Sequence, residues 1–218
     1  MRRERTRGPG HLTMALEGTP ETAAEAAAAT NGAQGYVRLA PVFPRRLRDH
    51  WLEGHAAEVA ELALDLGRAL GLSSPALLEL ELAARLHDVG KRAMPASILS
   101  KPGPLSEVEW SVMRRHPEWG SEMLADVSGL EDVADAVHAH HERWDGSGYP
   151  LGIEGESIPL ASRIIAVCDA FSAMTTDRPY RSPRPAVDAL GELQRGAGSQ
   201  FDPAIVGVFV ASTESAAA

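Results

Sequence analysis

Five of the eight histidines, His55, His87, His116, His140 and His141, form with Asp88 and Asp169 a set of candidate metal ligands scattered along the chain. Imidazole nitrogens and carboxylate oxygens are donors that first-row transition metals accept. A single histidine on a helix is more often a hydrogen-bonded structural residue than a ligand, so the combination carries the weight. His87-Asp88 ends an apolar helix, and His116 stands at a break forced by Pro117. Asp169 interrupts the run Ile164-Ile165-Ala166-Val167-Cys168-Asp169-Ala170-Phe171, where a buried carboxylate is costly unless a cation or strong donors face it. Seven nitrogen and oxygen donors without a thiolate exceed what one tetrahedral zinc takes, and they suit two octahedral ions sharing a bridging carboxylate. Two divalent transition-metal ions, iron or manganese, are therefore expected. Such ions, about 3.5–4 Å apart, stabilise the attacking and leaving oxygens of phosphoryl transfer, so the expected chemistry is phosphoester hydrolysis.

The stretch from His140 to Pro150 is the densest of these segments. Two adjacent histidines pass into Gly146-Ser147-Gly148-Tyr149-Pro150, a loop able to bring backbone close to a ligand. Metal and substrate are expected to meet there.

The elements that must position these residues read as helices. Val59, Leu62, Leu66 and Leu70 recur on one face of a first helix that Gly71 stops. Pro75 opens a second, whose Leu78, Leu82 and Leu86 form the expected core-facing row. Ser106 is an N-cap ahead of Glu107 and Glu109, and that helix must stop near His116 because the residue before a proline avoids helical geometry. Pro117 can begin the next helix, Leu130 to Glu142 is expected to carry the paired histidines, and Ile158 to Thr175 is a strongly apolar helix. Two shorter helices are expected at 184–195 and 203–211. Strand signals are almost absent, so the fold class is all-α, a bundle of about seven helices.

Composition bounds the rest. The chain has 218 residues, 44% of them hydrophobic and 23% charged, an ordinary balance for one core plus tails. The net charge of −9 argues against a nucleic acid polymer or an anionic membrane as partner, so an anionic substrate must be held by local positive charge. No apolar run approaches the roughly 20 residues of a membrane span. The lone Cys168 fits a reducing compartment, and a cytoplasmic location is expected. Residues 1–40 are rich in Arg and Ala and are expected to be a disordered tail, ahead of a catalytic domain at 41–212 and a flexible end at 213–218.

These motifs carry a resemblance. His55, His87-Asp88 and Asp169 resemble the H…HD…D pattern of the HD phosphohydrolase superfamily, and His140-His141-Glu142 with Asp145-Gly146-Ser147-Gly148-Tyr149-Pro150 resembles its HD-GYP subfamily of cyclic di-GMP phosphodiesterases. The likeness runs from about residue 49 to 210. It includes His87-Asp88-Val89-Gly90-Lys91, His116-Pro117-Glu118-Trp119-Gly120, Asp177-Arg178-Pro179-Tyr180-Arg181 and Phe201-Asp202-Pro203.

The resemblance implies that His55, His87, Asp88 and Asp169 enclose one metal, and that Asp88, His116, His140 and His141 enclose the second with Asp88 bridging. Lys91 resembles the family lysine that neutralises a phosphoryl oxygen; its other reading is a cation at a helix C-terminus. Gly146, Gly148, Tyr149 and Pro150 resemble the guanine and phosphate side of the substrate site. Arg178 and Arg181 resemble residues that hold phosphates and bases, with two solvated arginines as the alternative. Asp145 is expected to order the loop, and His11, His50 and His138 to be surface or structural residues. Some members hold a third metal with a glutamate four residues before the first ligand histidine. Here that place is Trp51, and Glu53 falls near the opposite side of the helix, so two metals are expected and onward cleavage of pGpG to GMP is disfavoured. The implied activity is hydrolysis of cyclic di-GMP to pGpG. An HD hydrolase of another nucleotide and a non-catalytic cyclic di-GMP scaffold are the alternatives, and homodimerisation or signalling partners stay open.

Overall fold

The computed structural model describes residues 50–177 and 182–216, which belong to one compact unit. The expected tail at 1–40 and the substrate arginines Arg178 and Arg181 lie outside the described residues. So does the side chain of Trp51.

Among the described residues there are nine α-helical segments and two 3-10 turns, with a single isolated bridge, Ala197 to Phe201, in place of any strand. Helix α1 spans His50–Ala69. Its buried face reads Val59, Ala63 and Leu66 at helical spacing, and His55 lies one turn before Val59 on that same face, so burial of α1 carries the histidine inward. Leu62 and Leu70, expected on the same stripe, are half-buried flanks.

Helix α2, Ser74–Leu86, begins as expected, with the Ser73 hydroxyl accepting from the Ala76 amide and Pro75 in the first turn. Its core row is different. Leu80, Ala83, Ala84 and the following His87 are buried, whereas Leu78 is 49% exposed and Leu82 and Leu86 are half-buried. Leu78 is roughly 200° around the helix from Leu80, so the two leucines cannot face one core. Leu80 meets α1 at Gly67, and the buried row that it begins with Ala83 and Ala84 carries His87 to the interior.

Asp88 then leads into a 3-10 turn, Val89–Ala93. Gly90 lies against the start of helix α5: a Cβ on Gly90 would stand 1.9 Å from the His116 carbonyl oxygen and 2.6 Å from the Gly120 amide nitrogen. Only glycine permits this backbone contact, and it sets Asp88 beside His116. After the one-turn helix α3 (Ala96–Leu99), helix α4 (Glu107–Met113) opens on a full capping box between Ser106 and Glu109. It ends before His116, and α5 runs His116–Ala125 with Pro117 in its first turn.

Helix α6 is shorter than expected. It covers Glu131–Ala139 and stops with His140 as its C-cap, so His140 and His141 follow the helix instead of continuing it to Glu142. Helix α7, Leu160–Thr175, is the central element: Ile164, Ile165, Val167 and Cys168 are fully buried, and Phe171 packs edge-on against Phe209 with ring centroids 5.0 Å apart. Helices α8 (Ala186–Gly196) and α9 (Pro203–Ala216) close the bundle. The expected end of the last helix at 211 is too early, and residues 213–216 are helical. Among the described residues no helix is long and apolar enough to cross a membrane.

Candidate metal centre

The five segments that carry the candidate ligands converge. His55, His87 and Asp88 place donor atoms within 4.8 Å of one another, as do His116, His140 and His141. The rings connect the two groups, His87 to His140 at 5.3 Å, His140 to His141 at 4.1 Å and His116 to His141 at 4.9 Å between centroids. Asp169 joins the first group through its Oδ1, 2.9 Å from His55 Nε2.

Asp88 stands between the groups. Its Oδ2 lies 3.4 Å from His87 Nε2 and 2.6 Å from Lys91 Nζ, and its Oδ1 lies 3.3 Å from His116 Nε2. Oδ1 is nonetheless a buried atom without a hydrogen bond of proper geometry. A buried carboxylate oxygen is rarely left in that condition unless an ion or a proton serves it.

The histidines are oriented in a way that requires a cation. His87 Nδ1–H donates to the Ala84 carbonyl at 2.7 Å, His116 Nδ1–H to Met113 at 2.8 Å and His140 Nδ1–H to Val137 at 2.6 Å. Each bond occupies Nδ1 and leaves Nε2 directed into the centre, where a proton or a metal ion can take it. Two such nitrogens, those of His116 and His140, face each other at 3.2 Å. Opposed lone pairs repel unless a cation lies between them. The donor set therefore fits divalent ions on its own chemistry, with Asp88 offering one oxygen to each group.

The charges are consistent. Burial pushes His140 well below the ordinary imidazole range and takes His141 down to about 3, so both stay neutral and able to ligate. Burial alone would lower His87 too, but the adjacent Asp88 carboxylate and Asp169 outweigh it and lift it to about 9. Burial raises Asp169, yet the His55 hydrogen bond and the charge on His87 prevail and leave it at about 2. Cys168, 0% exposed, is held as a thiol by burial and takes no part in the cluster.

Two residues that sequence reading passed over support the centre. Ser172 Oγ is 3.1 Å from His55 Nδ1, so α7 grips that imidazole at both nitrogens, with Asp169 and Ser172 one turn apart. Glu142, 4% exposed, accepts from the amides of Leu151 at 2.5 Å and Gly152 at 3.1 Å and so ties the loop that follows the histidines to the segment that bears them. Glu142 was in plain view beside His141. Ser172 gave no signal, because its partner is 117 residues away.

That loop is ordered by its own residues. Asp145 Oδ1 accepts from the Ser147 amide at 3.0 Å and its hydroxyl at 2.6 Å, and these bonds hold the Asp145 carboxyl down to about 2. Gly148 approaches the chain so closely that a Cβ would lie 2.4 Å from the Arg143 nitrogen. Pro150 follows a cis Tyr149–Pro150 bond. Tyr149 lies against His141, ring centroids 5.0 Å apart, and burial raises its phenol to about 12, so it keeps its proton. Of Gly146, Gly148, Tyr149 and Pro150, Tyr149 brings the loop to the histidine cluster.

An all-helical domain that gathers histidines and aspartates from several helices around one carboxylate has the donor groups of a metal centre. The chain belongs to the HD domain family, whose model matches residues 45–205. It is 43% identical over 165 residues to a cyclic di-GMP phosphodiesterase of Pseudomonas aeruginosa, covering 74% of this chain and 39% of that protein. It is 37% identical over 150 residues to a 3′3′-cGAMP-specific phosphodiesterase of Vibrio cholerae, covering 69% of this chain and 33% of that protein. The chain thus spans well under half the length of these relatives. Among solved structures, an HDGYP protein of Bdellovibrio bacteriovorus shares the fold with a TM-score of 0.59 at 19% identity, over 72% of this chain and 51% of that one.

Proposed function

We propose that this domain is a metal-dependent phosphodiesterase that hydrolyses cyclic di-GMP to linear pGpG and so lowers a bacterial second messenger. The observation that carries the reading is Asp88, whose two carboxylate oxygens are divided between two histidine groups in a buried centre. His55, His87, Asp88 and Asp169 would hold one ion and Asp88, His116, His140 and His141 the other, iron or manganese by the all-nitrogen-and-oxygen donor set. When bound, the pair supplies Lewis acidity and a water activated toward phosphorus.

The chain's own groups do the rest. Lys91, 2.6 Å from Asp88 and only 19% exposed, puts a fixed positive charge where a non-bridging phosphoryl oxygen gains negative charge. The three Nδ1-to-carbonyl bonds keep the imidazoles from turning during reaction. Tyr149 and the loop glycines offer a flat wall for a purine, and Arg178 and Arg181 serve the phosphates and bases. In this reading residues 41–212 are the catalytic unit, working in a reducing cytoplasm where Cys168 stays a thiol.

The test is a product assay with reduced, iron- or manganese-loaded protein over a panel of cyclic dinucleotides. Turnover of cyclic di-GMP to pGpG, abolished together with metal in Asp88→Ala, is the expected result. Preference for a mixed guanine–adenine cyclic dinucleotide would move the substrate toward that of the Vibrio cholerae relative. Binding of cyclic di-GMP without turnover under either metal refutes catalysis and leaves a sensor.

A further inference from the structure

Arg114 differs from most of the described arginines. Arg68, Arg85, Arg115, Arg143, Arg163, Arg184 and Arg195 each have a carboxylate within 4.0 Å. Arg114, the C-cap of α4 and exposed, has none among the described residues. Its guanidinium instead lies over the Tyr149 ring, 5.7 Å from the centroid. Tyr149 in turn rests on His141, a candidate ligand. The next residue but one after Arg114 is His116, tied to the turn before it through Met113. An unneutralised cation is thus placed at the rim of the metal centre, over the ring that rests on His141.

Placement there is costly to explain as stability. A cation–π contact at an exposed site contributes about 0.5–1 kcal/mol, and a protein of net charge −9 has acids enough to pair every arginine. An unpaired guanidinium beside a site for an anionic ligand does have a use, because its planar fork can donate to two oxygens of a phosphate and still lie on an aromatic ring.

We infer that Arg114 is a substrate-binding residue: together with Tyr149 it forms a guanidinium–aromatic clamp that takes a phosphate of the cyclic dinucleotide at the rim of the metal centre. The inference rests on the phosphodiesterase reading above. The clamp acts on bound substrate equally before and during reaction, so its loss appears in KM and not in kcat. One charge-assisted hydrogen bond to an exposed phosphate corresponds to about a tenfold rise in KM.

The experiment compares wild type, Arg114→Gln and Arg114→Lys, all metal-loaded, in steady-state hydrolysis of cyclic di-GMP at two ionic strengths, with metal content measured on each. The small diester bis(p-nitrophenyl) phosphate is run on wild type alone. The expected result is a KM about tenfold higher in Arg114→Gln with kcat within about twofold, partial recovery in Arg114→Lys, and a weaker salt dependence of KM in Arg114→Gln. An unchanged KM in an otherwise active Arg114→Gln overturns the clamp alone. A fall in kcat with loss of metal also overturns it, because Arg114 would then act through His116. Wild type that cleaves the small diester but no cyclic dinucleotide overturns the phosphodiesterase assignment, and the clamp with it.

Discussion

Ser172→Ala isolates the support of a single imidazole. Ser172 Oγ lies 3.1 Å from His55 Nδ1 and reaches it from α7, whereas the Nδ1 atoms of His87, His116 and His140 are bonded to carbonyls of their own preceding turns. With Nε2 given to a metal, Nδ1 carries the hydrogen and the serine oxygen accepts it. Removing a partner of this kind typically costs 10–100-fold in metal affinity, or about 1.4–2.7 kcal/mol. The helix itself tolerates the change, because alanine has the higher helical propensity and the lost atom is one oxygen. The expected outcome is that one of two ions is weakened 10–100-fold while the other keeps its affinity, with far-UV helicity unchanged. Competitive titration against a chelator, with metal counted after dialysis, reads both affinities. Two ions held as tightly as in wild type would show that Asp169 alone orients His55, and equal weakening of both would show that the two groups are not separate sites.

Two further outcomes follow from the same geometry. In Gly148→Ala the new Cβ would stand 2.4 Å from the Arg143 nitrogen, 2.5 Å from Glu142 Cα and 2.7 Å from Glu142 C, all backbone, so the loop must move. A loss of about 1–3 kcal/mol is expected, seen as a drop in Tm of several degrees and a raised KM for the dinucleotide; a variant matching wild type in both measurements would remove the loop from the substrate site. In chelator-treated protein, stability should peak near neutral pH. Burial depresses His141 to about 3, so its contribution is complete above an unfolded value near 6.5 and is lost as pH falls toward 3; His87, raised to about 9, contributes fully below about 6.5 and loses that contribution as pH climbs through 9. Tm measured from pH 4 to 10 should trace a dome, and a monotonic profile would contradict it.

That the candidate ligands would be brought together was legible because chemistry is local: a His-Asp pair at a helix end, a histidine at a proline break and an acid in an apolar run each announce a constraint. The all-α class, the Ser106 cap and the break at Pro117 were legible for the same reason. Depth and direction were not. Leu78, Leu82 and Leu86 are the large residues at helical spacing, yet Leu80, Ala83 and Ala84 are the buried ones, with Leu80 against Gly67 of α1. The paired histidines were placed inside a helix that ends at Ala139, since no glycine or proline marks that stop. Ser172 and Arg114 act through partners remote in sequence, which spacing alone does not disclose.

The three imidazoles bonded to carbonyls of their own preceding turns have a mechanical consequence. Each is registered to its own helix end, and His116 and His140 also meet across the centre, Nε2 to Nε2 at 3.2 Å, so the side chains have little freedom to compensate when one segment moves against another. The separation between donor groups is then a direct readout of helix docking, and the backbone contact of Gly90 with His116 and Gly120 is its ruler. Lengthening that contact by a fraction of an ångström would change ion spacing as surely as replacing a ligand, which makes this seam the place where an input from elsewhere in the molecule would be felt as metal affinity.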